Sequence, residues 1–183
     1  MSKQFSEFTL NFNTGARGND KAPTMKGKTK VIADDVASEF DVAAWGPNKA
    51  QSGGPDFYNL SVTPKDPALA ARQLKTEVAE GDVPNAIEGF EIKKLGTGRI
   101  FERTMEELDA GKTAGKNLPK FYGHALVLLP SGPRYIDVAA WHRPEHNFYS
   151  GNATLHDVGA AAEARAAGTG RPVRAARVTP QNG

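Results

Sequence analysis

Two tryptophans and two Phe-Tyr pairs are the residues of this chain best suited by type and placement to a chemical task. Trp45 closes "EFDVAAW" and Trp141 closes "RYIDVAAW"; Phe57-Tyr58 and Phe148-Tyr149 follow, each after a polar loop. Cations or potential cations flank them: Lys28, Lys30, Lys49 and Lys65 around the first set, His124, His142, Arg143 and His156 around the second. Rings on adjacent strands, bordered by positive charge, form a platform for single-stranded nucleic acid. Bases stack on the rings at about 1–3 kcal/mol each, and the cations follow the phosphates. The candidate site is therefore Trp45, Tyr58, Trp141 and Tyr149 for stacking, with Lys28, Lys30, Lys49 and Arg143 for the phosphates. The competing role for such large rings is to close a core.

Other chemistries have less behind them. There is no cysteine, which removes disulfides, thiolate nucleophiles and cysteine zinc sites together. His142 and His146 have helical i, i+4 spacing around Glu145, but Pro144 and the strand ending at Trp141 oppose a helix there, so no metal site is expected. "LGTGR" (95–99) and "TAGKN" (113–117) lack the spacing and the Lys-Ser/Thr pair of a phosphate-cradling loop and read as turns. No serine sits in a nucleophile-elbow pattern. Asp41 and Asp137 are equivalent by repetition, which raises a two-carboxylate site on a pseudo-axis; hydrogen-bonded strand residues are the simpler reading. The expected protein is non-enzymatic and takes no cofactor.

The elements that would hold these residues are written twice. Residues 26–45 lie over 122–141 without gaps: Gly27 meets Gly123, Val31 meets Val127, Phe40 meets Ile136 and Trp45 meets Trp141. "DFYNLSVTPKD" (56–66) then lies over "NFYSGNATLHD" (147–157). Phe40, Val42 and Ala44 alternate with Asp41, Ala43 and Trp45, which predicts a half-buried strand. Asp66 before Pro67 predicts a helix running to Gly81, and Asp157 opens another to Gly168. "EFTLNF" and "GFEIKKL" supply a leading strand to each copy, and "RTMEELDAG" an inserted helix.

The expected fold class is α+β: a β-rich tandem repeat, ββββα twice, packed as an internal pseudo-dimer. Residues 1–81 form the first repeat, 82–168 the second with its helical insertion at 102–111, and 169–183 a flexible basic tail. One copy's sheet is too small to close a good core alone, which motivates the pairing.

The net charge is +2, unevenly placed. The first thirty residues hold six Lys or Arg against Glu7 and Asp20; the tail holds Arg165, Arg171, Arg174 and Arg177 against Glu163. Basic ends favour a polyanionic partner. No apolar stretch approaches a membrane span and the first residues do not read as a signal peptide, so the expectation is a cytoplasmic protein with no membrane partner.

The stretch "AAWGPNKAQSGGPDFYNLSVTPKDP" resembles a family of small uncharacterised proteins carried on conjugative plasmids and phages of proteobacteria. Residues 41–67 carry most of the likeness; the second copy keeps "DVAAW" and "FY" but reads "SGNATL" where the first has Leu-Ser-Val. The resemblance implies mobile-element biology and no particular chemistry. The repeated β-rich plan is also similar in topology to Whirly and transcription-cofactor single-strand binders, an analogy of architecture alone. The leading expectation is a single-stranded DNA- or RNA-binding protein of a plasmid or phage. The alternatives are an inhibitor docked on a host protein and an assembly component.

Overall fold

Alternation in one long strand sets the inside of the molecule. Along Val36–Asn48 the side chains of Ser38, Phe40, Val42 and Ala44 are buried, while Glu39 and Asp41 are exposed. A computed structural model of the chain describes residues 6–14, 21–51, 53–78, 83 and 94–156. Its strands are β1 (Glu7–Phe12), β2 (Met25–Ala33), β3 (Val36–Asn48), β4 (Phe57–Pro64), β5 (Thr97–Glu102), β6 (Phe121–Leu129), β7 (Gly132–Arg143) and β8 (Phe148–Leu155). Helix α1 (Pro67–Lys75) follows β4, and α2 (Met105–Thr113) follows β5. Each strand pairs antiparallel with its neighbour in sequence, and β8 returns to β1, closing an eight-stranded barrel.

This corrects the expected α+β arrangement. Two ββββα units do not pack as a pseudo-dimer; their strands merge into one closed, mostly β barrel. The reason is edge chemistry. Two four-stranded sheets stacked face to face would keep four open edges with unpaired N–H and C=O groups. Here β4 pairs with β5 and β8 with β1, so the two sets join edge to edge and no edge is left. Eight strands enclose an interior that side chains can fill. Phe8, Leu10, Met25, Val31, Phe40, Val42, Leu60, Ile100, Phe121, Ile136 and Val138 fill it.

The halves nonetheless use matching registers. Gly27 faces Val42 and Gly123 faces Val138; Asp41 faces Thr63 and Asp137 faces Thr154. Strand β5 precedes β6 in the second half and overlaps "LGTGR", a stretch that reads as a turn; the expected strand "GFEIKKL" falls largely on residues 84–93, outside the described ones. Helix α1 starts where Asp66 and Pro67 place it, Asp66 accepting from the Ala68 N–H at 3.1 Å, but it ends at Lys75, short of Gly81. Helix α2 opens with a capping box, Thr104 and Glu107 bonding each other's backbone N–H. The helix expected from Asp157 and the tail 169–183 lie outside the described residues.

A second, smaller core forms outside the barrel. Leu69 of α1 and Leu95 pack with Leu126, Leu128 and Tyr135. Strand β6 is therefore buried on both faces from Ala125 to Leu129, which is why "ALVLL" runs apolar without alternation.

Barrel curvature brings some backbones very close. A Cβ at Gly123 would sit 2.1 Å from the Arg99 carbonyl oxygen, and one at Gly27 would sit 1.7 Å from that of Thr9. Only a residue without a Cβ lets these strands coil so tightly. Gly123→Ala should therefore lower the unfolding free energy by about 3 kcal/mol, read from urea denaturation. A loss below about 0.5 kcal/mol, the range of a neutral surface change, would mean that β5 and β6 slide apart freely.

Candidate nucleic-acid interface

The barrel separates residues that the sequence pattern groups together. Strands β3 and β7 lie four places apart in a ring of eight, so they form opposite walls. Trp45 and Trp141 both point outward, partly buried, on those opposite walls. Each indole N–H is already used: Trp45 Nε1 donates to the Lys21 carbonyl at 3.1 Å and Trp141 Nε1 to the Asn117 carbonyl at 3.0 Å. Both rings thus pin an incoming loop. Lys28 and Lys30 stand on β2 near the first wall. Lys49 forms an ion pair with Asp56 at 3.0 Å, and Arg143, at the end of β7, donates to Ser150 Oγ at 2.7 Å. No one surface holds all eight candidates. Asp41 and Asp137 likewise face outward on opposite walls, which rules out a shared two-carboxylate site.

Tyr58 and Tyr149 point inward. They are 5% and 9% exposed, and both rings meet Phe121 edge to face, at centroid distances of 5.5 and 4.8 Å. Their stacking faces belong to the core. Burial, then the nearby Glu102 carboxylate, pushes the Tyr58 phenol up to about 12; the same two causes raise Tyr149. Glu102 is itself held by Lys120 at 3.2 Å.

The outer wall of β4, β5 and β6 carries the aromatic surface. Phe57 faces Phe101 and Phe101 faces Tyr122, so three rings stand in one cross-strand row. Their sequence neighbours Tyr58, Ile100 and Phe121 are buried inside, which turns the three rings outward. All three are half-buried. Phe101 and Tyr122 are 5.6 Å apart at a tilt of 33°. Two guanidinium groups lie over the ends of the row: Arg99 is 4.3 Å from the Phe57 centroid and Arg103 is 4.1 Å from that of Tyr122. Arg103 is steadied by donating Nη1–H to the Pro119 carbonyl at 2.9 Å.

The adjacent row is polar: Asn59, Arg99, His124 and Asp137 face one another in turn. Asp137 also meets His156, so two imidazoles converge on one carboxylate. Burial pulls the Asp137 carboxyl up, but hydrogen bonds and charge from His124 and His156 outweigh it and hold it below the usual aspartate range. His142, near the end of β7, and His146, beyond it, are exposed; His142 Nε2 lies 3.5 Å from Asn147 Oδ1 and His146 rests against Phe148.

Phe101, Tyr122, Arg99 and Arg103 were not found by repetition because they do not repeat. The equivalent register positions in the first half hold Asn11 against Lys26 and Thr9 against Lys28. A usable signal was present: "RIFER" and "FYGH" interleave aromatics with basic residues.

The phenol environment makes a checkable statement about alkaline stability. A raised phenol favours the folded state while it is neutral. That contribution is complete below pH 10, the ordinary tyrosine value, and is lost as pH climbs toward about 12. Phenolate absorbance should show Tyr58 and Tyr149 ionising late, together with unfolding. Tyr58→Phe should move the alkaline unfolding midpoint to higher pH. Unchanged alkaline unfolding in that variant would place the weak point elsewhere.

Comparison of the chain with protein-family models, with curated proteins and with solved structures gives no match.

Proposed function

We propose that this chain binds single-stranded nucleic acid on the outer wall formed by β4, β5 and β6, without catalysing a reaction. The observation that carries the reading is the in-register row Phe57, Phe101 and Tyr122 with Arg99 and Arg103 laid over its ends. Adjacent rings on a sheet accept unpaired bases, whose flat faces stack whatever their sequence. Guanidinium planes stack on bases as well as on rings and supply charge beside the phosphates. Strand spacing of about 4.8 Å sets the rings side by side, with Phe101 and Tyr122 centroids 5.6 Å apart. The site is one-sided, because the positions matching Phe101 and Tyr122 in the other half hold Asn11 and Lys26 rather than rings.

Fluorescence anisotropy with a labelled oligonucleotide tests the proposal. Binding should appear at low salt and fall steeply as salt rises. Phe101→Ala and Arg99→Ala should each weaken it roughly tenfold, one stacking contact's worth. Trp45→Phe on β3, and Tyr58→Phe, whose ring points from β4 into the core, should leave it unchanged. No binding at low salt, or equal loss from all four variants, rejects this surface.

A further inference from the structure

His124, Asp137 and His156 come from three different elements, and the backbone holds each in place. His124 on β6 faces Asp137 on β7, and Asp137 faces Thr154 on β8. His156 follows β8, and its N–H donates to the Tyr135 carbonyl at 2.9 Å, which fixes it beside β7. His124 Nδ1 lies 2.7 Å from Asp137 Oδ1; His156 Nδ1 lies 2.9 Å from the same oxygen and 3.0 Å from Oδ2. One donor atom from each of the three side chains falls within 4.8 Å of the others.

The first half of the barrel builds the same frame with different side chains. Lys28 faces Asp41, Asp41 faces Thr63, and the Lys65 N–H donates to the Glu39 carbonyl at 2.9 Å. Lys65 Nζ reaches Asp41 at 3.9 Å. One lysine reaches the carboxylate there and a second faces it in register, whereas two histidines contact the carboxylate here. If clasping the carboxylate by charge were the whole task, lysine would serve in both. Imidazole offers what an ammonium group does not, a lone pair for a metal.

From this contrast we propose that His124, Asp137 and His156 bind a divalent transition-metal ion, with zinc as the best match. Two imidazole nitrogens and one carboxylate oxygen are a borderline donor set that disfavours magnesium and calcium. Zinc bonds of about 2.0–2.2 Å in a tetrahedron require donors roughly 3.3 Å apart. The observed nitrogen–oxygen separations of 2.7 to 3.0 Å need to open only slightly for the ion to enter. Each Nδ1 then turns its lone pair inward, its proton leaving to solvent or residing on Nε2. The site is reachable: the side chains of His156, His124 and Asp137 are 13%, 28% and 41% exposed. Three protein ligands leave the fourth position to water or to an incoming ligand.

Calorimetric titration of the untagged, chelator-treated full chain with zinc chloride tests this. One ion per chain should bind, and His124→Gln or His156→Gln should weaken binding by at least about tenfold. The pair His124→Lys with His156→Lys copies the first-half arrangement. It should fold, as seen by circular dichroism, and bind no zinc at this site. The pair His142→Gln with His146→Gln should bind as the parent does. Cobalt offered in place of zinc should give a visible absorption band that the lysine pair lacks. Absence of stoichiometric zinc binding in the parent, or undiminished binding in a folded lysine pair, overturns the proposal and leaves an ion-paired clasp.

Discussion

Pairing of the first strand with the last is the constraint on which this molecule rests. Phe8, Thr9 and Leu10 of β1 face Gly151, Ser150 and Tyr149 of β8. Without that seam the meander would be an open sheet with two edges, one of them the short β1. With it, every strand has two partners, and the alternating apolar side chains share one enclosed interior. Closure also dictates what the surface can do. Outward side chains on a convex wall diverge, so only residues on neighbouring strands build a common surface. Groups four strands apart face opposite directions whatever their kinship in sequence. This is why the two tryptophans hold two separate loops and do not act together.

Within that seam the two halves keep one frame and equip it differently. The frame consists of what curvature and capping require: Gly27 and Gly123 where strands approach too closely for a Cβ, and the outward tryptophans tied to loop carbonyls. The equipment sits on the outward positions between them. Thr9, Asn11, Lys26 and Lys28 in one half answer to Arg99, Phe101, Tyr122 and His124 in the other. Frame positions cannot vary without cost to folding, whereas outward positions of a strand are free to diverge. Distinctive chemistry therefore accumulates where the halves differ, and it does so on the β4–β7 side.

Much of the frame was legible in the sequence. The alternation of "EFDVAAW" predicts the inward set of β3, and Asp66-Pro67 predicts the start of α1, since both depend on local periodicity and capping. The joining of two sheets into one ring was not legible, because closure depends on which edges meet and no residue pattern announces it. Strand β5 was hidden for a related reason. "TGRIFE" has few apolar residues and follows Gly96, whose φ of +84° marks a turn, so the strand is held by its two neighbours rather than by its own propensity. The candidate site was misread in an instructive way. In the two repeated "FY" pairs, 57–58 and 148–149, the phenylalanine faces out and the tyrosine faces in, whereas in Phe121-Tyr122 the order is reversed. A hydroxyl-bearing ring is the natural choice for a surface, but a one-residue alternation leaves no freedom once Leu60 and Val62 are committed to the core.

The filled interior bears on where the proposed ligand could be held. A ring of eight strands is wide enough to hold one small ligand or to be packed with side chains. Here Phe8, Phe40 and Phe121 are under 2% or at 2% exposure, and Tyr58 and Tyr149 wedge against Phe121 toward the end closed by Glu102 and Lys120. Those rings occupy the volume that an internal ligand would need. The contacts we propose therefore fall on the outer wall, where a ligand must be flat and extended to touch several strands of a convex surface. A single nucleic-acid strand has that shape, which is why the proposed binding is placed on the row of rings that runs across the strands and is capped by guanidinium planes.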